Sequence, residues 1–174
     1  LARKGDQAAF ADLYYRHRRP VFQFAWRLTR SEASAEDVTQ ECFLALLDGA
    51  SYDAAHGALR TYLLGIARHR ALRRMRLWER EAPGIDDAPA AADTLGAMLA
   101  SERAAMVEQA IASLPLAQRE ALILFEYEDL SLEEIAEVTG SEPGAIKARL
   151  FRARESLRRK LAPIMAASPA RGIA

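Results

Sequence analysis

The sequence predicts an all-α protein made of two helical domains, the second of which contains a helix-turn-helix. Apolar residues recur at helical spacing along most of the 174 residues, and no sustained alternation or β-branched run indicates a strand. Residues 83–93 combine two prolines, a glycine and three aspartates, which is the composition of a linker. We therefore expect domains at residues 1–81 and 107–174, joined by a flexible acidic linker at residues 82–106.

The first domain is expected to contain three helices. Their predicted boundaries are residues 6–30, 34–48 and 58–81. The first helix should break near Pro20, because proline removes a helical hydrogen bond. Ser34 is the expected N-cap of the second helix, with Asp37 at the capping-box spacing. Residues 49–57 are expected to form a loop between the second and third helices.

The second domain ends in the predicted helix-turn-helix, after helices at residues 94–113 and 115–128. Ser131 and Glu134 have the spacing of a capping box at the start of the short helix. Gly140 can adopt the positive φ that ends that helix. Ser141 is the expected N-cap of the next helix, with Pro143 in its first turn.

The last helix carries a dense run of positive charge. Its basic residues are Lys147, Arg149, Arg152, Arg154, Arg158, Arg159 and Lys160, with Glu155 as the one acid among them. A short helix, a tight turn and a basic helix together suit insertion into a DNA major groove. The formal net charge of the chain is zero, so this charge is balanced by acids elsewhere, nine of them between residues 107 and 146. Such segregation indicates separate surfaces for nucleic acid and for another partner, or simply solvated helix faces.

Two surfaces of the first domain allow a functional and a structural interpretation. The third helix carries Arg68, His69, Arg70, Arg73, Arg74, Arg76 and Arg80, together with Tyr62 and Trp78. Arginines bind phosphates and aromatic rings stack on unpaired bases, although a solvated basic face with Tyr62 in the core fits equally well. The second helix presents a stripe of Asp37, Glu41, Leu44 and Asp48, with Gln40 beside it. This stripe suits docking to a basic partner, or is an ordinary solvated acidic face.

The sequence contains no pattern typical of an enzyme, so we expect neither a cofactor nor a metal site. The three histidines are scattered without metal-ligand spacing, and no phosphate-binding glycine loop is present. Cys42, the single cysteine, lies at an apolar helical position and is expected to be a buried thiol. A single cysteine excludes an internal disulfide and fits a reducing compartment. Since there is no long apolar run, we expect a cytoplasmic protein without membrane insertion.

Several short motifs occur in an order that resembles one known family. They are GDQAAF at residues 5–10, DVTQECF at 37–43, LRTYL at 59–63, IAR at 66–68, LP at 114–115, QRE at 118–120, LSLEEIA at 130–136, GAIKARL at 144–150 and RAR at 152–154. Each motif is modest alone. Together, around an acidic linker, they resemble the extracytoplasmic-function (ECF) sigma factors of bacterial RNA polymerase. The resemblance covers residues 5–161.

The resemblance implies roles for three sets of residues and three partners: core RNA polymerase, promoter DNA and an anti-sigma factor. Core polymerase would bind Asp37, Gln40, Glu41 and Leu44. The promoter −10 element would be opened and held by Arg60, Tyr62, Arg68, His69, Arg73 and Arg76. The −35 element would be read by Lys147, Ala148, Phe151 and Arg152, with Arg149 and Arg154 on phosphates.

The chain departs from the family pattern at both DNA surfaces. Tyr62 stands where the family usually has Trp, His69 and Arg73 stand where it has Asn and Asp, and Ala148 removes a hydroxyl from the recognition helix. His69 and Arg73 predict a non-standard −10 preference, which a run-off assay on every −10 base would test. Three alternatives stay open: a helix-turn-helix repressor or activator acting without polymerase, a sigma mimic that sequesters an anti-sigma factor, and an all-α nuclease.

Overall fold

In the computed structural model the described residues, 7–48, 52–53, 57–81 and 95–166, form seven helices and no strand. The helices are α1 (Gln7–Thr29), α2 (Glu32–Leu47), α3 (Leu59–Glu81), α4 (Leu95–Ala112), α5 (Leu116–Glu126), α6 (Leu132–Thr139) and α7 (Pro143–Ala166). The all-α prediction is therefore confirmed. We refer to α1–α3 as the first unit and to α4–α7 as the second unit.

The predicted linker and loop are only partly described. Residues 82–94 of the linker lie outside the described residues, whereas 95–106 belong to α4. Of the loop predicted at 49–57, only Tyr52, Asp53 and Gly57 are described, and none of them is helical.

The predicted break of α1 at Pro20 is wrong, because the helix runs without interruption through the proline. Val21, Phe24 and Leu28, which follow Pro20, are all buried in the core of the first unit. Phe10, which precedes Pro20, packs against the same buried cluster, and it shares their face only if the helical phase continues past the proline. The free energy gained by burying this face therefore outweighs the cost of the backbone hydrogen bond that Pro20 cannot donate.

The predicted cap of α2 is displaced by one turn. Ser31, not Ser34, is the N-cap, and its hydroxyl accepts a 3.2 Å hydrogen bond from the backbone N–H of Ser34. Arg30, with a φ of 58°, reverses the chain between α1 and α2. Two serines three residues apart made the assignment ambiguous, and the chain reversal at Arg30 determines which of them is the cap.

The helix-turn-helix forms as predicted in its first half. Ser131 and Glu134 make both hydrogen bonds of the capping box, and Gly140 ends α6 in the left-handed conformation with a φ of 64°. The prediction for Ser141 is wrong, because α7 begins at Pro143 and the Ser141 hydroxyl accepts a 2.9 Å hydrogen bond from Arg149 instead. Pro143 suits the first helical position, where no backbone N–H is needed.

The two glycines of the helix-turn-helix predict opposite effects of the same substitution. A Cβ added at Gly140 or at Gly144 would meet no atom within 4 Å, so only backbone conformation decides the outcome. Gly140→Ala is expected to lower the free energy of unfolding by about 1 kcal/mol, because the left-handed region is strained for alanine. Gly144→Ala, within α7, is expected to raise it by about 0.5 kcal/mol. Urea denaturation of both variants checks the signs, and equal effects would contradict this account.

The two units pack directly against each other, an arrangement that the sequence left open. Helix α6 lies on α3, and α5 lies on α1. Phe24 and Leu63 of the first unit belong to the same continuous buried cluster as Ile123, Leu124 and Ile135 of the second. Because the cluster is continuous, the surfaces of the two units that face each other are partly withdrawn from solvent.

Candidate polymerase and nucleic-acid interfaces

The outer face of α7 brings the predicted −35 residues together. Buried side chains at helical spacing, Ile146, Leu150 and Ala153, hold α7 against the second unit. The opposite face presents Lys147, Phe151 and Arg152 to solvent, with Ala148 half-buried beside them. Phe151 is 68% exposed, and a large apolar ring left in water at the centre of a basic face is typical of a contact surface.

The two arginines predicted to meet phosphates on α7 already have partners in the second unit. Arg149 donates to the Ser141 hydroxyl at 2.9 Å. Arg154 donates to Glu126 at 2.7 Å and lies 5.1 Å from the centre of the Phe125 ring. Their side chains are therefore oriented by the turn and by α5, whereas those of Lys147 and Arg152 are exposed and have no hydrogen-bond partner among the described residues.

Helix α3 divides the predicted −10 residues between two environments. His69, Arg73 and Arg76 are exposed. Arg60 and Arg68 are half-buried and face the second unit, where each pairs with a glutamate. The sequence presents these basic residues as one surface, and the structure leaves only part of it accessible.

The two arginines that face the second unit bind buried carboxylates. A nitrogen of Arg60 lies 2.8 Å from an oxygen of Glu128. Arg68 donates to both carboxylate oxygens of Glu120, the second of these hydrogen bonds measuring 3.4 Å. Glu120 and Glu128 are only 3% and 2% exposed, so each carboxylate has given up water for its guanidinium partner. Next to them, the Thr61 hydroxyl donates to Glu134 at 3.3 Å.

Burial raises the pKa of Glu128 above its usual range, and the hydrogen bond and positive charge of Arg60 oppose this only in part. The free-energy cost of desolvating the ionised carboxylate therefore exceeds the stabilisation that Arg60 provides, as is common for buried ion pairs. The Arg60–Glu128 pair thus orients the two units rather than adding net free energy to their packing at neutral pH.

The raised pKa of Glu128 predicts a pH-dependent effect of Glu128→Gln. The unfavourable contribution of Glu128 is absent below the unfolded value of 4.5 and appears as the pH rises through the higher folded pKa. Glu128→Gln is therefore expected to raise the melting temperature at neutral pH, by an amount that shrinks as the pH falls toward 4.5. Differential scanning calorimetry across this range measures the effect, with Glu133→Gln on the exposed side of α6 as the control. A melting temperature lowered at neutral pH would show that the ion pair is a net stabiliser.

Tyr62 lines a cavity of about 550 Å³ between the two units. Its ring centre lies 5.4 Å from that of Tyr52, and His69 lines the same space. Glu137 and Val138 of α6 contribute to the wall from the second unit. The cavity therefore combines aromatic rings with a titratable side chain, which suits stacking on a flat, polar group.

The predicted polymerase-binding stripe of α2 is exposed but partly neutralised. Arg74 of α3 bridges Asp37 at 2.8 Å and Glu41 at 2.5 Å. Gln40 and Leu44 remain exposed. The stripe is therefore less acidic than the sequence implies. Its exposed residues include the uncharged side chains of Gln40 and Leu44.

An apolar groove next to this stripe was missed by the sequence prediction. A cavity of about 660 Å³ is lined by Phe10, Tyr14, Phe22, Phe43, Leu44 and Leu47, with Gln40 at its edge. Leu47 is 55% exposed and follows Leu44 by three residues, which places both on one helical face. That spacing was the available signal, but the aromatic floor comes largely from α1 and requires the packed structure.

Other chemistry is not supported within the described residues. Cys42 is buried as predicted, and burial raises the pKa of its thiol to about 12, which makes it a poor nucleophile. In the parts of the chain that the structure describes, no group of His, Cys, Asp and Glu side chains could hold a metal ion. None of the described helices combines the length and apolar character needed to cross a bilayer.

Fold and surfaces together define a class: an all-α protein with a helix-turn-helix and a second basic, aromatic surface. The family model for Sigma-70 region 2 matches residues 13–80, and that for Sigma-70, region 4 matches residues 104–157. The chain is 30% identical to the RNA polymerase sigma-H factor of Pseudomonas aeruginosa, over 93% of this chain and 91% of that protein. It is 31% identical to the ECF RNA polymerase sigma-E factor of Escherichia coli, with the same coverage. The chain belongs to the ECF family of RNA polymerase sigma factors.

Two solved structures share the fold. One is the sigma factor RpoE of Bartonella quintana in complex with the anti-sigma factor NepR, with a TM-score of 0.75 and 26% identity over 88% of this chain and 97% of that one. Another is CnrH in complex with the cytosolic domain of CnrY, with a TM-score of 0.69 and 26% identity over 96% of this chain and 94% of that one. The sequence-based resemblance is therefore confirmed.

Proposed function

We propose that this protein is an alternative sigma factor that binds core RNA polymerase and directs promoter-specific initiation. The observation that carries the proposal is the joint presence, in a member of this family, of an exposed basic recognition face on α7 and a basic, aromatic face on α3. The first domain, residues 1–81, would bind core polymerase and the −10 element, and the second domain, residues 107–174, would read the −35 element.

The contacts assigned to each surface follow from exposure and charge. Core polymerase would dock on Gln40 and Leu44, with Asp37 and Glu41 supplying charge once Arg74 is displaced. Unpaired −10 bases would stack against Tyr62, with Arg73 and Arg76 on phosphates. The polymerase supplies the chemistry, so the chain itself acts by binding, in the cytoplasm, and is not an enzyme.

We further propose control by an anti-sigma factor. The sigma factor RpoE of Bartonella quintana, which has a similar fold, was solved in complex with such a protein, the anti-sigma factor NepR. A partner that binds the apolar groove between α1 and α2, lined by Phe10, Phe43 and Leu47, would cover part of the polymerase-binding face. Purification of the chain from its source cell should recover this partner, and recovery of polymerase alone would count against it.

Transcription with purified core polymerase tests the proposed function. Reactions with and without the full chain are compared on a pool of genomic promoter fragments, and promoter-specific transcripts are expected only with the chain. Duplex binding without any effect on core polymerase would instead select a repressor or activator. Binding to an anti-sigma factor without binding to core polymerase would select a sigma mimic.

A further inference from the structure

We propose that the second unit masks the −10 surface of the first, with glutamates standing where DNA phosphates would bind. This inference rests on the proposed function, because it concerns the surface assigned to promoter opening. It differs from control by a partner protein, since every group involved belongs to this chain.

The second unit pairs carboxylates with two of the basic residues assigned to the −10 element. Of the six residues assigned to the −10 element, Arg60 and Arg68 are the two that form ion pairs with the second unit among the described residues. A guanidinium recognises a carboxylate and a phosphate through the same charge-assisted hydrogen bonds. While Arg60 holds Glu128 at 2.8 Å and Arg68 holds both oxygens of Glu120, the guanidinium nitrogens that make these bonds are not available to a phosphate.

The aromatic side chain assigned to base stacking also lies beside the second unit. Tyr62 opens onto a cavity whose wall includes Glu137 and Val138 of α6. Thr61, the neighbour of Tyr62, is only 5% exposed and donates to Glu134 of the same helix. The contacts of α6 therefore lie beside Tyr62, and the same unit covers part of the cationic surface at Arg60 and Arg68.

The two units also contact each other at a second place, away from α3. Arg30 of the first unit pairs with Glu108 of α4 at 2.8 Å, and Arg27 lies 4.0 Å from the centre of the Tyr127 ring. Contacts at both edges of the apolar cluster define one arrangement of the units. Core polymerase or promoter DNA would then have to bind the separated arrangement more tightly in order to shift the population toward it.

The separation of the two units can be measured directly in the full-length chain. Spin labels are attached at Ala33→Cys on α2 and Ala117→Cys on α5, both at exposed positions. The buried Cys42 thiol should not react. Pulsed electron resonance of the labelled chain alone is expected to give one short distance. Glu120→Lys, which places a positive charge opposite Arg68, is expected to give a longer and broader distribution, whereas Glu133→Lys on the exposed side of α6 should leave the distance unchanged.

A charge exchange separates masking from misfolding. The double variant Arg68→Glu with Glu120→Lys restores an ion pair of reversed polarity and is expected to recover the short distance. Affinity for a short single-stranded DNA of mixed sequence is the second readout. Glu120→Lys should bind it about tenfold more tightly than Glu133→Lys, which has the same change of net charge and controls for general attraction.

The possible outcomes distinguish the mask from the proposed function. A wild-type chain that already shows a long, broad distance distribution would contradict the proposed masking. A Glu120→Lys variant with the wild-type distance, or with a DNA affinity equal to that of Glu133→Lys, would contradict it as well. Failure of the chain to support transcription with core polymerase would contradict the sigma-factor proposal and leave the distance measurement unaffected.

Discussion

Arg152→Ala is expected to weaken binding of the holoenzyme to its −35 duplex by about tenfold, and to relax the preference at one base pair. Arg152 is exposed on α7 next to Phe151, and it makes no ion pair among the residues that the structure describes. A free guanidinium at this position can donate two hydrogen bonds to a base edge in the major groove. Its loss removes both affinity and discrimination, and selection from a duplex library randomised at the −35 element measures both.

Arg154→Ala on the same helix is the matched control for Arg152→Ala. Arg154 is oriented by Glu126 and lies over the Phe125 ring, and it is the arginine assigned to a phosphate. Its removal should weaken binding evenly across sequences and reduce the salt dependence by about one counterion. Equal changes of base preference in both variants would contradict the separation of base-reading from phosphate-binding residues on α7.

Phe24→Ala is expected to lower the free energy of unfolding by about 3–5 kcal/mol. Phe24 is completely buried at the centre of the first unit, within the cluster that continues into the second unit. The substitution removes a large apolar side chain and leaves a cavity that the rigid helices can fill only in part. A loss of this size is a large fraction of the 5–15 kcal/mol typical of a folded domain, so the variant is expected to be partly unfolded at physiological temperature.

Urea denaturation followed by circular dichroism measures the effect of Phe24→Ala. Tyr15→Ala is the control, because Tyr15 lies on the same helix but is 67% exposed, and its change should stay within about 0.5 kcal/mol. If Phe24→Ala cost less than about 1 kcal/mol, α1 could not be the helix around which α2 and α3 pack.

Local sequence patterns predicted most of the helices but misplaced several of their ends. The capping box of Ser131 and Glu134 and the positive φ of Gly140 were confirmed, because these features depend on residues close in sequence. The break at Pro20 was wrong, since Phe10 before the proline and Phe24 after it pack into one buried cluster from the same face of an unbroken helix. The N-cap of α2 was misassigned, because Ser31 and Ser34 are equivalent until the chain reversal is known.

The sequence predicted each candidate site as a set of residues of similar type. The folded structure pairs some of these residues with partners that the sequence does not place beside them. Asp37 and Glu41 look like an uncompensated acidic stripe in the sequence, but Arg74 bridges them from α3. The groove beside Leu44 could not be predicted in full, since much of its aromatic floor belongs to α1. Such contacts join residues far apart in the chain, which spacing arguments do not reach.

The sequence by itself determined the family, the helices and the two kinds of surface, because each depends on local order and composition. Only the tertiary structure decided which basic residues are accessible. Arg60 and Arg68 are the same residue type as Arg73 and Arg76 on the same helix, yet the first two are held by glutamates 68 and 52 residues further along the chain. Their difference arises from the packing of α5 and α6 on the first unit, since an ion pair forms only where folding brings the two charges together.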